Sequence, residues 1–489
     1  MQYNLESILA PSVSDNQYQY ENQLTISLIC RSDSYKFSHA FAYPENITGM
    51  SSYGTARVHP SLTIVVAGIQ GLLKTNFTQR ITQAHVDEAE AFSVLHFGRT
   101  LFSRSSWEKV VNVYDGFLPL IIRAMPEGSK IRGGDPIYSV TCLDPDLFWM
   151  SAYFETVIQR GIWYPTTVAS MDYDIKQEIK RFYRISGADM ELLPFALHDF
   201  GGRGVTCSEQ AQIGGAAHLF NFMGSDTVEG ILYANNIYKH SMAGFSVFAT
   251  EHSIECSFGL DDAGEEAYIA SVLKNALPGT IISIVIDGKD TMRCATKLCT
   301  IFRQQIIDSN AKVVFRPDSG DMMEIVPALL RLQEVAFGVD WSKTNGQKFK
   351  KIRHVGIIQG DGVDHMSIKT LLGNLVGGGW RADNVVFGSG GALLQKVNRD
   401  TLKFAQKASA VCKNGTWVGI AKDPITDPGK KSLAGIMTLV RSRMTGQTQP
   451  ASLHHQLNEE FEDLHKLVYH TGKLYNETSL EDIRMRIEN

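Results

Sequence analysis

Val313-Val314-Phe315-Arg316-Pro317-Asp318-Ser319-Gly320 reads as a buried strand that runs into a loop of small and acidic residues. Two later stretches repeat it: Gly356-Ile357-Ile358-Gln359-Gly360-Asp361-Gly362-Val363-Asp364 and Val385-Val386-Phe387-Gly388-Ser389-Gly390-Gly391-Ala392-Leu393-Leu394. Short apolar runs that stop at such residues and then open a helical pattern are strand–loop–helix units, which build parallel sheets. In that architecture the loops after the strands gather on one face, where glycines let backbone N–H groups approach a phosphate and helix N-termini favour negative charge. The aspartates of the first two loops suit sugar hydroxyls or a hydrated Mg²⁺. Together the three loops imply a phosphorylated sugar.

Working outward, the same strand–loop–helix rhythm runs from Thr166 to about Asp400, so residues 166–400 are expected to form one α/β barrel. Before it, β-branched and aromatic residues with turn signals predict antiparallel strands, as in Lys130-Ile131-Arg132-Gly133-Gly134-Asp135-Pro136-Ile137-Tyr138-Ser139-Val140, and helical patterning spans Ala84 to Phe102. After it come a turn-rich run, Lys422-Asp423-Pro424-Ile425-Thr426-Asp427-Pro428-Gly429-Lys430-Lys431, and a terminal hairpin at Leu467-Val468-Tyr469-His470-Thr471-Gly472-Lys473-Leu474. Residues 1–165 and 401–489 are therefore expected to share an accessory α+β domain.

A chain of 489 residues exceeds what one hydrophobic core usually supports, which agrees with two domains. A formal net charge of -5 and a pI near 6.3 give no global attraction to nucleic acid or an anionic membrane, so any phosphate site has to be local. The opening Met1-Gln2-Tyr3-Asn4-Leu5-Glu6-Ser7 lacks the cationic and apolar regions of a signal peptide, and no apolar run is long enough to span a bilayer, which points to the cytoplasm. The 7 cysteines are scattered without a Cys-x-x-Cys pair; Cys294 and Cys299 are expected on a helix as small apolar residues, with neither a disulfide framework nor a zinc site.

Side chains alternate along a strand, so Arg316 and Asp318 point the same way at its C-terminal end, as do Ser283, Val285 and Asp287 in their own strand. Polar groups there cost desolvation energy unless something satisfies them; an Arg–Asp pair closing the barrel is the plain alternative to a ligand-lined mouth. The loop at Gly388 has the register Gly-x-Gly-x-x-Leu, with Leu393 where a dinucleotide fingerprint needs glycine, so a monophosphate held by backbone N–H groups fits better, with a mere tight turn as the alternative. Upstream, in His198-Asp199-Phe200-Gly201-Gly202-Arg203-Gly204-Val205-Thr206-Cys207-Ser208-Glu209, Thr206 and Glu209 have capping-box spacing; the helix is expected to start there, with Arg203 just before its positive end. Phe200 is either a projecting flat surface or core. Asp226 and His252 each follow an apolar segment and could be structural or chemical.

His198-Asp199-Phe200-Gly201 with Arg203-Gly204-Val205, Gly224-Ser225-Asp226-Thr227, Glu251-His252-Ser253, Arg316-Pro317-Asp318-Ser319-Gly320, Gln359-Gly360-Asp361-Gly362-Val363-Asp364 and Phe387-Gly388-Ser389-Gly390-Gly391 occur in one order along the chain. In this the chain resembles the nicotinamide phosphoribosyltransferases, within the type II phosphoribosyltransferases. The resemblance extends from Asp33-Ser34-Tyr35-Lys36 through Tyr114-Asp115-Gly116 and Trp163-Tyr164-Pro165 to Lys422-Asp423-Pro424 and the terminal hairpin. It implies an irregular α/β barrel with a second, mostly antiparallel β domain built from both chain ends. The implied activity is that of a glycosyltransferase (pentosyltransferase) that makes nicotinamide mononucleotide and diphosphate from nicotinamide and phosphoribosyl diphosphate, with Mg²⁺ bound mainly through the diphosphate.

By that resemblance Phe200 stacks on one face of the base and Tyr35 of a second subunit on the other, in a homodimer with shared sites. Asp226 accepts the amide N–H₂, Arg316 lies beside the ring and leaving group, and Asp318, Gly360, Asp361, Gly390 and Gly391 hold the ribose and its 5′-phosphate. Arg203 and His252 face the diphosphate, with ATP as an activating co-substrate that phosphorylates His252. Arg57, Arg399 and Lys407 bind phosphate around the dimer interface, and Asp287 and Ser283 lie near the Mg²⁺ or the inner end of the base pocket. Gly202, Phe248 and Gly288-Lys289 depart from the vertebrate pattern of the family, where a tyrosine, a proline and Ser-Tyr stand. The alternatives are a nicotinate phosphoribosyltransferase, which an ionised Asp226 disfavours by repelling a nicotinate carboxylate, and a non-catalytic signalling member of the family.

Overall fold

The computed structural model describes residues 26–426, 430–453 and 458–489; the opening residues 1–7 and residues 427–429 of the turn-rich run lie outside the described residues. Seven parallel strands form the first sheet, in the spatial order 224–225, 197–199, 385–389, 355–359, 312–316, 281–285 and 248–249. One isolated parallel bridge, Gly224 with Phe245, ties one edge strand to the segment leading into the other, so the strands curve into an irregular α/β barrel. The expected fold class holds.

Local sequence accounts for these units. Val355–Gln359 is buried throughout, as an interior parallel strand covered on both faces should be. The helix after it, His365–Gly377, starts because Asp364 accepts from the Ser367 amide while the Ser367 hydroxyl answers the Asp364 amide, a capping box. It buries Ile368, Leu371, Leu372 and Leu375, the spacing of one helix face. Each such side chain removed from water stabilises the fold by about 1.5–3 kcal/mol.

The second sheet is antiparallel and also seven-stranded, in the order 416–419, 404–413, 47–56, 136–142, 120–124, 466–470 and 473–474, so both chain ends contribute and the terminal hairpin forms its edge. The helical pattern expected from Ala84 to Phe102 is shorter, Gln83–Phe97, because Gly98 turns the backbone left-handed at φ 67°. A helix of 32 residues, Glu155–Ser186, runs past Pro165; its first turns pack Val157, Ile158 and Ile162 into the core of the antiparallel sheet and its last turns pack Ile175, Ile179 and Phe182 into that of the barrel. Cys294 and Cys299 are buried on the helix Thr291–Cys299, as expected. Among the described residues no helix is long and apolar enough to cross a membrane.

Candidate active site

The C-terminal ends of the parallel strands surround a cavity of about 480 Å³. Its wall takes Phe200 and Arg203 from the loop after strand 197–199, Asp226 from that after 224–225, Glu251 and His252 from that after 248–249, Arg316 and Asp318 from the end of 312–316 and its loop, Gly360 from that after 355–359, and Gly390 and Gly391 from that after 385–389. Nine of the residues singled out from the sequence are thus brought together: Phe200, Arg203, Asp226, His252, Arg316, Asp318, Gly360, Gly390 and Gly391. The sequence reading missed Gln395 on this wall; it follows a four-residue helix, Gly391–Leu394, too short to leave a periodic signal.

Phe200 is held against the last strand by its amide, which donates to the Ser389 carbonyl at 2.9 Å. One edge of its ring lies against Gly388, where an added Cβ would sit 2.0 Å from ring atom Cε2. Asp226 is exposed to the cavity; its amide donates to the Asp199 carbonyl at 3.0 Å, and its Oδ1 accepts from the Ser246 hydroxyl. Behind it, buried His218 bridges Asp172 Oδ2 (2.8 Å) and the carbonyl of Gly224 (2.9 Å), anchoring the strand that presents Asp226. Asp172 and His218 are 46 residues apart, and nothing local in the sequence marks the pair.

From the loop after strand 248–249, His252 Nε2 meets Asp287 Oδ1 at 3.0 Å, with the imidazole 44% exposed and the carboxylate 4%. Asp287 therefore stands behind His252 rather than on the wall. Arg316 donates from Nη2 to the Thr250 carbonyl at 2.8 Å, while its Nε is buried with no partner among the described residues. A buried guanidinium N–H left unpaired costs about 1–3 kcal/mol, and a ligand acceptor would recover it. The Asp318 carboxylate lies close enough to Gly360 that a Cβ there would be 2.8 Å from its Oδ1. Arginines and glycine loops gathered with an aromatic ring and carboxylates around one cavity can hold an anion beside a flat, polar base.

The helix beyond Arg203 differs from expectation. It runs Ser208–His218 from Cys207 without a side-chain cap, because the Thr206 hydroxyl donates to Gln210 Oε1 at 2.8 Å instead of accepting. Ser283 is buried at 4% exposure, off the wall, with its carbonyl accepting from the Thr250 amide at 3.1 Å, and Asp361 is exposed outside it. Tyr35 is 56% exposed on the 3₁₀ helix Ser34–Phe41 and does not reach the cavity of its own chain. Arg57 and Lys407 line a separate cavity of about 220 Å³ together with Lys430 and Lys431, and Arg399 pairs with Asp400 at 3.1 Å. One buried group, Glu255, Glu265 and Cys294, brings donor atoms within 4.8 Å of one another. Lys297 and Arg293 take both Glu265 oxygens at 3.0 Å, and burial pushes the Cys294 thiol up, which makes this an ion-paired cluster rather than a metal cage.

Residues 195–473 match the model of the nicotinate phosphoribosyltransferase (NAPRTase) family, and residues 27–122 match that of the nicotinamide phosphoribosyltransferase N-terminal domain. The chain is similar to a nicotinamide phosphoribosyltransferase of Xanthomonas campestris pv. campestris, 39% identical over 94% of this chain and 97% of the relative. It is also similar to one of Acinetobacter baylyi, 30% identical over 93% and 96%. Among solved structures, a nicotinate-nucleotide pyrophosphorylase from Pyrococcus furiosus shares the fold, with a TM-score of 0.60 at 16% identity over 96% of this chain and 97% of that one. With its barrel matched to the first model, its N-terminal part to the second and its whole length to these relatives, the chain belongs to the nicotinate phosphoribosyltransferase family and, within it, to the nicotinamide phosphoribosyltransferases.

Proposed function

We propose that the cavity binds nicotinamide and phosphoribosyl diphosphate and joins them, giving nicotinamide mononucleotide and diphosphate for NAD salvage. The observation that carries this reading is the placement of an aromatic ring, Phe200, and an exposed carboxylate, Asp226, in one cavity with Arg203, Arg316 and His252. The ring stacks on the pyridine, and Asp226 accepts from the carboxamide N–H₂. The pyridine nitrogen carries a free lone pair, so it attacks the ribose C1 without a general base. The C1–O bond to diphosphate breaks, and the leaving oxygen keeps the electron pair as C1 passes through an oxocarbenium-like state. Arg203, Arg316 and His252 neutralise the departing charge, Asp318 holds ribose hydroxyls, and the glycines at 360, 390 and 391, with Asp361, cradle ribose and 5′-phosphate.

The carboxylates of Asp226, Glu251 and Asp318 on this wall are hard oxygen donors that fit Mg²⁺. Bound mainly through the substrate diphosphate, the ion would help neutralise the leaving group. A second copy of the chain supplies Tyr35 to the other face of the base and Arg57, Arg399 and Lys407 to the phosphates, since none of the four lies on the cavity of its own chain. ATP acts through His252, and the enzyme works in the cytoplasm. Incubating purified protein with phosphoribosyl diphosphate, Mg²⁺ and either nicotinamide or nicotinate, then identifying the product by mass, tests the reading. Nicotinate mononucleotide as the sole product would replace it with the nicotinate reaction, and no product from either base would leave the non-catalytic alternative.

A further inference from the structure

The Ser246 hydroxyl donates to Asp226 Oδ1 across 20 residues of chain, while Asp226 Oδ2 has no hydrogen-bond partner among the described residues. Ser246 itself stands off the wall that Asp226 lines. Both backbones are anchored. Strand 224–225 pairs with strand 197–199, and the Asp226 amide donates to the Asp199 carbonyl at 3.0 Å. On the other side, the Phe245 amide donates to the Met223 carbonyl at 2.7 Å, and the Phe245 carbonyl accepts from the Ser225 amide at 3.0 Å. Just before this, the Ala243 carbonyl accepts from Arg484 Nη2 at 2.7 Å and the Ala243 amide donates to Asn235 Oδ1 at 2.8 Å. Just after it, Phe248 and Ala249 pair with strand 281–285. Fixed backbone therefore carries the hydroxyl to the carboxylate.

Ser246 and Asp226 are both exposed. Water satisfies an exposed carboxylate about as well as a protein donor does, so the fold does not need this contact. What the contact does is select one orientation among the staggered positions open to a free aspartate. A base recognised by the direction of a hydrogen bond gains affinity when its acceptor is oriented before it arrives. We propose that Ser246 is a positioning residue that sets base specificity through Asp226. Its hydroxyl occupies Oδ1 and holds the side chain so that Oδ2 meets the carboxamide N–H₂ of nicotinamide. A nicotinate carboxylate then meets a negative group that cannot turn aside. The inference deepens the reading of the cavity as a nicotinamide site and rests on it.

Ser246→Thr and Ser246→Val have the same shape and differ in the hydroxyl, so the pair isolates the hydrogen bond; Ser246→Ala is the third arm. Nicotinamide binding to the full chain is measured by equilibrium dialysis without phosphoribosyl diphosphate or Mg²⁺, and steady-state kinetics are measured with both. Ser246→Val and Ser246→Ala should raise Kd and KM for nicotinamide about three- to tenfold, because a freed side chain spreads over three χ1 wells and a broad χ2. KM for phosphoribosyl diphosphate and the melting temperature should stay near wild type, since neither depends on the orientation of Asp226. The kcat/KM preference for nicotinamide over nicotinate should fall by about the same factor, and Ser246→Thr should stay within about twofold of wild type throughout. Equal nicotinamide Kd and KM in the Thr and Val variants overturn the proposal. So does a loss that raises KM for phosphoribosyl diphosphate as much as that for nicotinamide. A failure of the proposed reaction shows differently, as no product from either base with the Thr–Val difference in nicotinamide binding intact.

Discussion

Replacing Gly388 by alanine places a methyl group 2.0 Å from Phe200 Cε2 and 2.3 Å from Cδ2. Ordinary contact begins at 3.4 Å, so the ring edge has to retreat by about 1.4 Å. The backbone cannot share the shift easily, because Phe200 N–H is bonded to Ser389, the residue next to Gly388. The ring therefore swings into the cavity, across the place assigned to the base. A misplacement of about 1 Å at a reacting centre costs about a hundredfold, or about 2.7 kcal/mol, in kcat/KM. Overpacking of the strand adds a stability loss of about 1–3 kcal/mol. The assay is kcat/KM for nicotinamide at saturating phosphoribosyl diphosphate, in a cycle of wild type, Gly388→Ala, Phe200→Ala and the double variant. If the methyl acts through the ring, adding it to Phe200→Ala should cost less than about threefold, a coupling of more than about 1 kcal/mol. Equal losses with and without the ring, or no loss in Gly388→Ala, would refute the assigned place of Phe200.

Asp226→Asn should weaken nicotinamide use by about 1.5–3 kcal/mol, the worth of a charged hydrogen bond, and should relieve nicotinate of repulsion. The ratio of kcat/KM for the two bases is the readout, and a constant ratio with both activities reduced would make Asp226 structural. Mixing inactive Tyr35→Ala chains with inactive Arg316→Ala chains should restore activity in verified heterodimers, since one hybrid site keeps both residues; silence there would count against shared sites. Burial pushes His198 and His465 down to about 4, so both are neutral in the fold while the unfolded chain binds protons below about 6.5. Stability should therefore fall as pH drops from about 6.5 to about 4, by up to about 3 kcal/mol for each histidine, read as urea midpoints at pH 7 and 5. A midpoint that rises toward pH 5 would contradict the burial of both rings.

Much of the site was legible because it is repeated. Arg316, Asp318, Gly360, Gly390 and Gly391 each follow an apolar strand, and a parallel sheet delivers every such position to the same rim. Asp287 was legible as a residue but not in its role, since its partner His252 comes from a loop 35 residues earlier. Thr206 and Glu209 carried the letters of a cap, yet Gln210 offered the threonine hydroxyl a better acceptor, and the cap position passed to Cys207, one residue later. Ser246 gave no sign of its role; a serine in a loop reads as solvated until Asp226 is seen to take its hydroxyl.

The sequence by itself determined the units: where strands end, which loops are rich in glycine and aspartate, and where Asp364 and Ser367 start a helix. These are decided within a few residues by steric freedom, caps and periodicity. Tertiary structure alone decided how the sheet curves round at Gly224 and Phe245, that Arg316 reaches the carbonyl of Thr250 66 residues away, and that Tyr35, Arg57, Arg399 and Lys407 stand off the cavity of their own chain. The reason is that such contacts arise when whole layers pack. Their energies depend on what burial brings opposite each group, and no local stretch of chain encodes the opposite wall.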